Sequence, residues 1–388
     1  MLKVIKKNWA LILLVLLLCL LGLVFIYSAS SYSAQVNFGD SFYFVKKQIF
    51  GLIVGFCLML FMSNFNYKHF VKLKWIIVMV SFVLLLLVFV PGIGKNNNGA
   101  NRWITIAGIS LQSSEVAKFG FVIFSAIYMA KNYKNAKTFL GILPVVLVGG
   151  LTCLLILMEP NLSVTLCVGM VMLIMLVVAG ITPKHFLMLL IPALCLVPVL
   201  IIIEPYRLQR LMAFIDPWAS PKEEGFQLVQ SLYALGSGGL FGVGLFNSRQ
   251  KYLFLPFSES DFIFSIIGEE TGFVGATLII CIYVCVVWQG IKIALNASDR
   301  LGAYLASGIT SIIAVQVLIN IAVVTGSIPP TGIPLPFMSA GGTSLMVFMG
   351  AVGILLNISK GEEQNLNRVN VFKNLKAKQN KKVLKGAN

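Results

Sequence analysis

The sequence predicts an all-α, polytopic membrane protein with about ten transmembrane helices, and three observations support this fold class. The chain of 388 residues is 58% hydrophobic and only 11% charged, whereas about a quarter of the residues in soluble domains are charged. Apolar runs long enough to cross a membrane recur along most of the chain. Lysine and arginine concentrate in alternate loops between those runs. Lipid is therefore the expected solvent for most of the surface.

The first apolar run, residues 9–27, follows Lys3, Lys6 and Lys7 as it would in a signal peptide. It is about 19 residues long, which is enough to cross a bilayer, and no convincing small-residue cleavage site follows it. We therefore interpret it as a retained first helix. The later spans are expected at residues 48–64, 75–91, 117–131, 138–158, 163–181, 186–203, 262–291, 303–325 and 344–358.

The distribution of charge sets the expected orientation. With the N-terminus in the cytoplasm, the inner segments hold 20 of the 30 lysine and arginine residues and only three of the 14 acidic residues. Because basic residues favour the cytoplasmic side, we expect both termini there and a large extracytoplasmic loop between the seventh and eighth spans. The chain then divides into a ten-helix membrane domain, residues 1–358, and a basic cytoplasmic tail, residues 359–388, which is expected to be disordered.

Composition also excludes several classes of function. The seven cysteines lie inside apolar segments without metal-ligand spacing, and the two histidines, His69 and His185, fall in short basic loops. Disulfide, zinc and histidine chemistry are therefore not expected. The net charge of +16 is explained by topology and by contact with anionic membrane lipids, so no nucleic-acid partner is expected.

The predicted outer segment before the fourth span contains Arg102 and then the run SSEVAK, which opens a helix. Ser113 or Ser114 can cap that helix, and Glu115 lies in its first turn, where the helix dipole favours a carboxylate. Glu115 and Lys118 are three residues apart and share a face. They are either a local ion pair at a capped helix end or a charged pair that lines a cavity at the membrane surface.

The long outer segment, residues 204–261, begins with an amphipathic stretch that is expected to lie along the membrane interface. Arg207 and Arg210 lie three residues apart on this stretch. Their forked guanidinium donors suit phosphate oxygens, and the alternative is that they extend to lipid head groups.

Three polar side chains further along this segment, Gln227, Gln230 and Ser231, share one face of a helix and suit a ligand rich in hydroxyl groups. The glycine-rich run that follows, residues 236–244, lacks the preceding strand and the lysine of a nucleotide-binding loop. Its flexible backbone is instead expected to form a re-entrant turn lined by protein or water.

The same segment ends at Asp261, where the eighth span begins. A partly desolvated carboxylate at this place can act as a general base, but a residue directly before an apolar helix can equally be its N-cap. The neighbouring Glu259 is expected to be solvated. Glu269 and Glu270 follow inside the span, where an acid is either functional or part of a buried ion pair.

The third outer segment, residues 327–344, contains four prolines that exclude a regular helix and a Gly-Gly pair that allows close packing. Just before it, Gln316 and Asn320 lie one helical turn apart in an apolar span. They either join helices through hydrogen bonds or form the wall of a polar cavity. Together, the three outer segments are expected to enclose one cavity.

Five motifs occur in the order of the predicted topology. They are NGANRWI with QSSEVAK, YRLQRLMAFIDPWASP, GFQLVQSLYALGSGGLFGVGL, LPFSESDFIFSIIGEETGFVGA and TGIPLPFMSAGGTS. In these motifs the chain resembles the SEDS proteins of the FtsW/RodA/SpoVE group, over essentially all ten spans. The runs GLFGVGL and SRQKYLFLP are more similar to the division and sporulation branch, FtsW/SpoVE, than to the elongation branch.

The resemblance implies a peptidoglycan glycosyltransferase of the bacterial plasma membrane, placed at the division septum or used in sporulation. Such enzymes polymerise lipid II into nascent glycan on the outer face of the membrane, with undecaprenyl pyrophosphate as the leaving group. The family's essential aspartate corresponds to Asp261, which favours the general-base role over the N-cap. The resemblance also implies a class B penicillin-binding protein, a transpeptidase, and other divisome proteins as partners.

The positive charges of the outer segments are candidates for stabilising the pyrophosphate. The full set of candidate substrate-binding residues is Arg102, Glu115, Lys118, Arg207, Arg210, Gln230 and Ser339. A pyrophosphate leaving group is also compatible with Mg²⁺ or Mn²⁺. The sequence shows no dedicated carboxylate cage, so no metal ligand is assigned.

The chain departs from the family pattern at three places. Glu259 and Ser260 stand where His-Thr is common, Asn161 stands where many members have an acid, and Ala340 stands where tyrosine is common. None of these differences removes the Asp261 carboxylate. They weaken any transfer of a role to Asn161 or Ala340, which are left out of the candidate site.

Two other functions fit the same residues. Ten helices with intramembrane acids also suit a lipid II flippase, which moves its substrate without chemistry. A non-catalytic scaffold for the penicillin-binding protein is the second alternative. Replacement of Asp261 by alanine separates these functions, because only the transferase needs that carboxylate for turnover.

Overall fold

The computed structural model describes residues 2–97, 100–106 and 109–361, and within them the chain is mainly helical. The helices are α1 (Leu2–Phe38), α2 (Tyr43–Asn64), α3 (Phe70–Leu87), α4 (Ser113–Lys131), α5 (Phe139–Met158), α6 (Leu162–Val178), α7 (Pro183–Ile203), α8 (Pro205–Ile215), α9 (Phe226–Gly238), α10 (Ile263–Leu295), α11 (Arg300–Val324) and α12 (Gly342–Gly361). Short 3-10 turns occupy Tyr67–His69 and Tyr133–Asn135.

Each of the ten predicted spans coincides with one of these helices, which confirms the all-α, polytopic fold class. In the part of the chain that the structure describes, nine helices are long and apolar enough to cross a membrane. The sixth predicted span is the apolar helix α6, which has 17 residues. The predicted tail begins inside α12, which continues to Gly361, and the rest of the tail lies outside the described residues.

A small β-sheet precedes α4. Its strands are β1 (Gly94–Asn97), β2 (Ala100–Ile106) and β3 (Ile109–Gln112), paired antiparallel in the order β1-β2-β3. The β-branched residues of the run ITI in β2 favour this conformation, and Ile104 of that run is fully buried. No strand was predicted from the sequence for this segment.

The interior of the bundle is formed by helices that are buried on most of their faces. Most residues of α4, α11 and α12 are buried, whereas α7 has no buried residue and exposes its apolar side chains all round. This difference explains why α4 and α11 tolerate polar residues and why α7 is continuously apolar. A polar side chain inside α4 or α11 meets protein partners, while one on α7 would meet lipid.

The loops predicted to lie on the cytoplasmic side meet at one end of the bundle, here called the basic end. The hydroxyl of Tyr67 donates to the Asp299 carboxylate at 2.9 Å, and the Tyr67 amide donates to the Asn357 side chain at 3.1 Å. The Arg300 guanidinium lies over the ring of Tyr133. The alternation of loops predicted from charge is thus present in three dimensions.

The three predicted outer segments meet at the opposite end, here called the polar end. The Thr343 hydroxyl donates to the carbonyl of Ser110 in β3 at 2.9 Å, and the Ala340 amide donates to the carbonyl of Glu259 at 2.8 Å. Segments far apart in sequence therefore form one surface. The cavity that the sequence predicts between these segments stays a prediction.

Helix α10 is broken at Gly272, whose φ of 67° and ψ of −169° are not helical. The break frees the carbonyls of Glu269 and Glu270, and these accept hydrogen bonds from the amides of Val243 and Gly244 at 3.0 and 3.1 Å. Only glycine adopts such backbone angles without strain. The glycine-rich run thus inserts its backbone into a helix break and is lined by protein, in the manner expected of a re-entrant turn.

Candidate active site at the polar end

Asp261 lies in the turn that leads into α10 and is half-buried. The helix begins at Ile263 with Phe262 in the N-cap position and without a side-chain cap, so the N-cap alternative for Asp261 is wrong. Among the residues that the structure describes, no group donates a hydrogen bond to its carboxylate. The carboxylate is therefore free to accept a proton from a ligand.

Two residues from other segments hold the backbone of this turn. The Asn320 side chain in α11 donates to the carbonyl of Asp261 and to that of Ile333, both at 2.8 Å. The Ser339 hydroxyl donates to the carbonyl of Ser260 at 2.6 Å. Asn320 therefore joins α11 to two other segments through hydrogen bonds, the first of its two predicted roles. It also fixes the position of the Asp261 backbone.

Ser339 forms hydrogen bonds within the fold, and its substrate-binding role stays a prediction. Its hydroxyl proton is committed to the Ser260 carbonyl, and its oxygen accepts a hydrogen bond from the Leu335 amide at 2.7 Å. Only about 5% of its surface is exposed. Ser339 is a positioning residue for the Asp261 turn, because its hydrogen-bonding groups are used on backbone.

Gly332, in the proline-rich segment, lies directly against the catalytic candidate. A Cβ atom added to Gly332 would lie 3.0 Å from Oδ2 of Asp261, which is closer than ordinary van der Waals contact. Glycine at this position therefore leaves room for the carboxylate. The sequence showed four prolines around this residue but gave no sign of what it faces.

The environment of Asp261 favours the protonated, uncharged form of its carboxyl group. Burial, and to a smaller extent the nearby Glu259, raise the pKa of Asp261 to about 6, and Arg102 and Arg210 oppose the rise. Glu259 is not simply solvated as predicted, because burial raises its pKa as well. At neutral pH Asp261 is therefore ionised but close to its titration range, as suits a general base.

The predicted residues Arg102 and Arg210 come together with Asp261 at the polar end. Arg102 is anchored by hydrogen bonds to the backbone carbonyls of Glu159, at 3.3 Å from Nε, and of Pro160. Both arginines act electrostatically on Asp261 without forming an ion pair with it. Their positive charges are thus available to an anionic ligand beside the carboxylate.

Arg207, predicted together with Arg210, is used inside the fold instead. Its guanidinium donates to the carbonyl of Leu200 in the last turn of α7 at 2.9 Å and to the hydroxyl of Tyr206 at 3.0 Å. It is about 8% exposed, whereas Arg210 is half-exposed. The Arg207 side chain joins α8 to α7, and its substrate-binding role stays a prediction.

Glu115 and Lys118 form a buried ion pair at 2.8 Å. The Lys118 ammonium also donates to Oε1 of Gln316 at 2.6 Å, and the Ser344 hydroxyl donates to Glu115 at 3.3 Å. This arrangement corresponds to the first alternative, a local ion pair. Glu115 and Lys118 are about 1% and 2% exposed, and a substrate-binding role for them stays a prediction.

The predicted caps of α4 are absent. Gln112 occupies the N-cap position without a side-chain hydrogen bond. Ser113 instead donates to the Glu159 carboxylate at 2.8 Å, because the turn between α5 and α6 lies against the start of α4. The fully buried Ser114 hydroxyl has no partner within the described part of the chain.

The polar face of α9 is only partly available to a ligand. Ser231 is fully buried and hydrogen-bonds to Ser265 at 2.8 Å and to the carbonyl of Val324 at 2.7 Å. Gln230 is half-buried, and no hydrogen bond of its side chain is found within the described ranges. Of this predicted face, Gln230 stays a candidate for ligand binding and Ser231 packs helices together.

Glu269 and Glu270 belong to a buried cluster that holds the inserted loop. The Lys251 ammonium lies 3.7 Å from Glu270, and the Ser28 hydroxyl donates to Glu270 at 2.5 Å. Glu269 accepts a hydrogen bond from the Arg249 amide at 2.9 Å. The buried ion-pair alternative is thus observed for Glu270.

Glu159 is the site residue that the sequence reasoning missed. It is fully buried in the turn between α5 and α6, and it lies within electrostatic range of Arg102. Asn161, two residues further along the same turn, is the N-cap of α6. An acid at the end of a twenty-residue apolar run was the available signal.

Within the residues described, no group of three or more histidine, cysteine or acidic side chains is arranged to hold a metal ion. Glu259 and Asp261 lie close enough to influence each other electrostatically, and carboxylate oxygens are ligands that Mg²⁺ and Mn²⁺ accept. The suggestion of a divalent ion on the leaving group stays a prediction of the sequence.

These features define a multi-pass membrane protein whose polar end presents a half-buried carboxylate beside two arginines. The chain belongs to the family described as cell cycle proteins of the FtsW/RodA/SpoVE type, whose family model matches residues 8–364. The resemblance seen in the sequence motifs is thereby confirmed.

Two relatives show how far the similarity extends. The chain is 42% identical over 352 residues to stage V sporulation protein E of Bacillus subtilis, which covers 90% of this chain and 96% of that protein. It is 38% identical over 355 residues to the probable peptidoglycan glycosyltransferase FtsW of Geobacter sulfurreducens, with coverage of 91% and 95%.

Two solved structures share the fold. A chain from a peptidoglycan synthase complex that coordinates polymerization and crosslinking is 26% identical, with a TM-score of 0.75 and coverage of 92% of this chain and 98% of that chain. The rod shape determining protein RodA of Thermus thermophilus is 24% identical, with a TM-score of 0.68 and coverage of 91% and 97%. The second similarity concerns the fold alone.

Proposed function

We propose that this protein is a peptidoglycan glycosyltransferase that polymerises lipid II into glycan strands, with Asp261 as its general base. The observation that supports this most is the half-buried Asp261 carboxylate, which lacks a hydrogen-bond donor in the described chain and lies beside Arg102 and Arg210. The relative from Geobacter sulfurreducens is named as a probable enzyme of this class.

In the proposed reaction, Asp261 accepts the proton of the 4-hydroxyl of the acceptor sugar. The hydroxyl oxygen attacks the anomeric carbon of the donor, the bond from that carbon to the pyrophosphate oxygen breaks, and undecaprenyl pyrophosphate leaves. Arg102 and Arg210 stabilise the negative charge that develops on the leaving group. With a pKa of about 6, Asp261 is mostly ionised at neutral pH and can take the proton.

The orientation and partners of the chain are part of this proposal. The basic end faces the cytoplasm with both termini, and the polar end meets lipid II and nascent glycan on the outer face of the plasma membrane at the division septum. A class B penicillin-binding protein and other divisome proteins are the proposed partners. The similarity to a chain of a peptidoglycan synthase complex supports a stable transpeptidase partner.

The experiment compares the wild-type protein with Asp261→Ala and with Glu223→Ala, all purified into lipid nanodiscs and supplied with lipid II. Glu223 is an exposed acid of the same long loop and is the matched control. We expect glycan polymerisation by the wild-type and Glu223→Ala proteins and a loss of about a thousandfold for Asp261→Ala. Polymerisation that survives the Asp261 substitution contradicts the proposal.

The broken helix α10 is a feature also found in transporters, so lipid II flipping is the second candidate function. Reconstitution of the same proteins in liposomes with labelled lipid II measures flipping separately from polymerisation. Flipping by a wild-type protein that never polymerises lipid II supports the flippase and contradicts the transferase. Polymerisation that depends on Asp261 excludes a transporter without chemistry.

A further inference from the structure

Glu159 is a fully buried acid that the proposed reaction does not use. It lies in the turn between α5 and α6, beyond the apolar span Phe139–Met158. Oε1 accepts a hydrogen bond from the Ser113 hydroxyl at 2.8 Å. Oε2 is buried and has no partner within the described residues. An ionised carboxylate would carry its charge into this place with a single hydrogen bond, which is energetically costly.

The backbone of the same turn holds Arg102. The guanidinium donates from Nε to the carbonyl of Glu159 and from Nη2 to that of Pro160. Among the described residues no ion pair joins Arg102 to the Glu159 carboxylate. The arginine is thus oriented by neutral carbonyls, while the acid side chain points to Ser113 and remains within electrostatic range of the guanidinium.

Arg102 therefore lies within electrostatic range of two acids, Glu159 and Asp261. An ionised Glu159 would offset the charge of Arg102 and weaken its attraction for an anion at the polar end. A protonated Glu159 leaves the full positive charge available there. Which of the two states is present determines the net charge that a phosphate group meets.

We propose that Glu159, held as a neutral carboxylic acid, is a positioning residue that keeps the charge of Arg102 available to the pyrophosphate of the substrate. This inference rests on the proposed function, since it assigns a pyrophosphate to the anion site. Burial supports it by raising the pKa of Glu159 to about 8, a rise that the hydrogen bond from Ser113 and the charge of Arg102 only partly oppose.

The groups around Glu159 agree with this role. Ser113 faces it from α4 and Arg102 from β2, and Asn161 of its own turn is used as the N-cap of α6. Tyr206, Arg210 and Asp261 also act electrostatically on Arg102, and the Tyr206 hydroxyl donates to the Pro160 carbonyl of the same turn at 3.4 Å. Asp261 titrates about two pH units lower than Glu159, so the two acids are separable by pH.

The test measures the binding of undecaprenyl pyrophosphate to the protein in nanodiscs of uncharged lipid at a series of pH values from 7 to 9. Asp261→Asn serves as the parent protein, because it removes the titration of Asp261 and needs no turnover. A failure of the proposed transferase activity therefore leaves this measurement readable. We expect the parent to bind about tenfold more weakly at pH 9, since a nearby unit charge changes at an effective dielectric of about 20.

Three further substitutions in that parent make the assignment specific. Glu159→Gln keeps the shape of the neutral acid, so the ratio of the dissociation constants at pH 9 and pH 7 should fall to about one. Ser113→Ala removes the hydrogen bond that lowers the pKa of Glu159, so the loss of affinity should move to higher pH. Arg102→Gln should abolish the pH dependence.

The inference is overturned if the parent binds equally well at pH 7 and pH 9, if Glu159→Gln keeps the tenfold ratio, or if the ratio persists in Arg102→Gln. Should Glu159→Gln fail to fold, the opposite shift expected for Ser113→Ala still decides the question. A midpoint that stays in place or moves to lower pH in Ser113→Ala then contradicts the role of Glu159.

Discussion

The polar end of the bundle contains two acidic sites that differ in how their charge is satisfied. Glu115 forms a buried ion pair with Lys118 at 2.8 Å and accepts a hydrogen bond from Ser344. Asp261 is half-buried and receives no hydrogen bond from the described residues, although Arg102 and Arg210 act on it from a distance. The charge of Glu115 is thus compensated by protein groups, whereas the carboxylate of Asp261 is available to a ligand.

This difference indicates which acid contributes to the stability of the fold and which to the proposed chemistry. A carboxylate with a buried partner stabilises the arrangement of helices, and its removal leaves an opposite charge unpaired. A carboxylate with a raised pKa and no hydrogen-bond donor lowers the stability of the folded protein when it is ionised. It can accept a proton from a ligand. Five substitutions or changes of pH separate these roles, from the largest expected effect to the smallest.

The largest effect is expected for Lys118→Met, which leaves Glu115 buried without its partner. Loss of one member of a buried pair costs about 3–5 kcal/mol, so the melting temperature in nanodiscs should fall strongly. The double variant Glu115→Gln/Lys118→Met should recover most of the loss. An unchanged melting temperature for the single variant would show that the pair does not support the fold.

Gly332→Ala tests the space around Asp261. The new Cβ would lie 3.0 Å from the carboxylate oxygen, so the carboxylate must shift, and a misplacement of this kind costs up to about a hundredfold in turnover. Gly350→Ala is the matched control, since a Cβ there meets no atom within 4 Å. Equal polymerisation rates for the two variants would contradict the described geometry.

The pH dependence of polymerisation tests the protonation of Asp261. Its folded pKa of about 6 lies above the ordinary value of 3.8, so the active, ionised form is present above pH 6 and is lost as pH falls through that value. The rate should decrease about tenfold for each pH unit below the pKa. A rate that stays constant down to pH 5 would exclude Asp261 as the titrating base.

The raised pKa also has a consequence for stability. The folded protein holds the Asp261 proton more tightly than the unfolded chain does, so this residue favours folding at acid pH. Its contribution is lost progressively between pH 3.8 and about 6. Asp261→Asn should reduce this part of the pH dependence in thermal unfolding, and a curve identical to that of the wild type would contradict it.

The smallest effect is expected for Ser339→Ala, which removes the hydrogen bonds to Ser260 and Leu335. Loss of a buried hydrogen bond costs about 1–3 kcal/mol, and part of this should appear as a lower turnover because the Asp261 turn is less well held. Cysteine at the same position should restore little. A wild-type rate for Ser339→Ala would show that Asn320 alone positions the turn.

Much of the fold could be predicted, because lipid imposes its length and polarity on each helix separately. All ten predicted spans coincide with helices for that reason. The β-sheet before α4 was missed because its strands are short and its asparagines and glycines also suit turns. Pairing between strands is a tertiary property that hydropathy does not report.

The site was predictable only in part. Asp261 and Arg102 were identified from their residue types and motifs, but their proximity depends on segments more than 150 positions apart. Arg207 and Arg210 are equivalent in the sequence, and only packing against α7 commits one of them to the Leu200 carbonyl. Glu159 was missed because its importance comes from burial beside Arg102, which no local pattern shows.

The most direct test of this division of roles compares Asp261→Asn with Glu115→Gln, each measured for polymerisation of lipid II and for thermal unfolding. We expect Asp261→Asn to lose about a thousandfold in turnover, with a melting temperature that is unchanged or slightly higher. We expect Glu115→Gln to unfold at a clearly lower temperature. An Asp261→Asn protein that polymerises lipid II at the wild-type rate would contradict it.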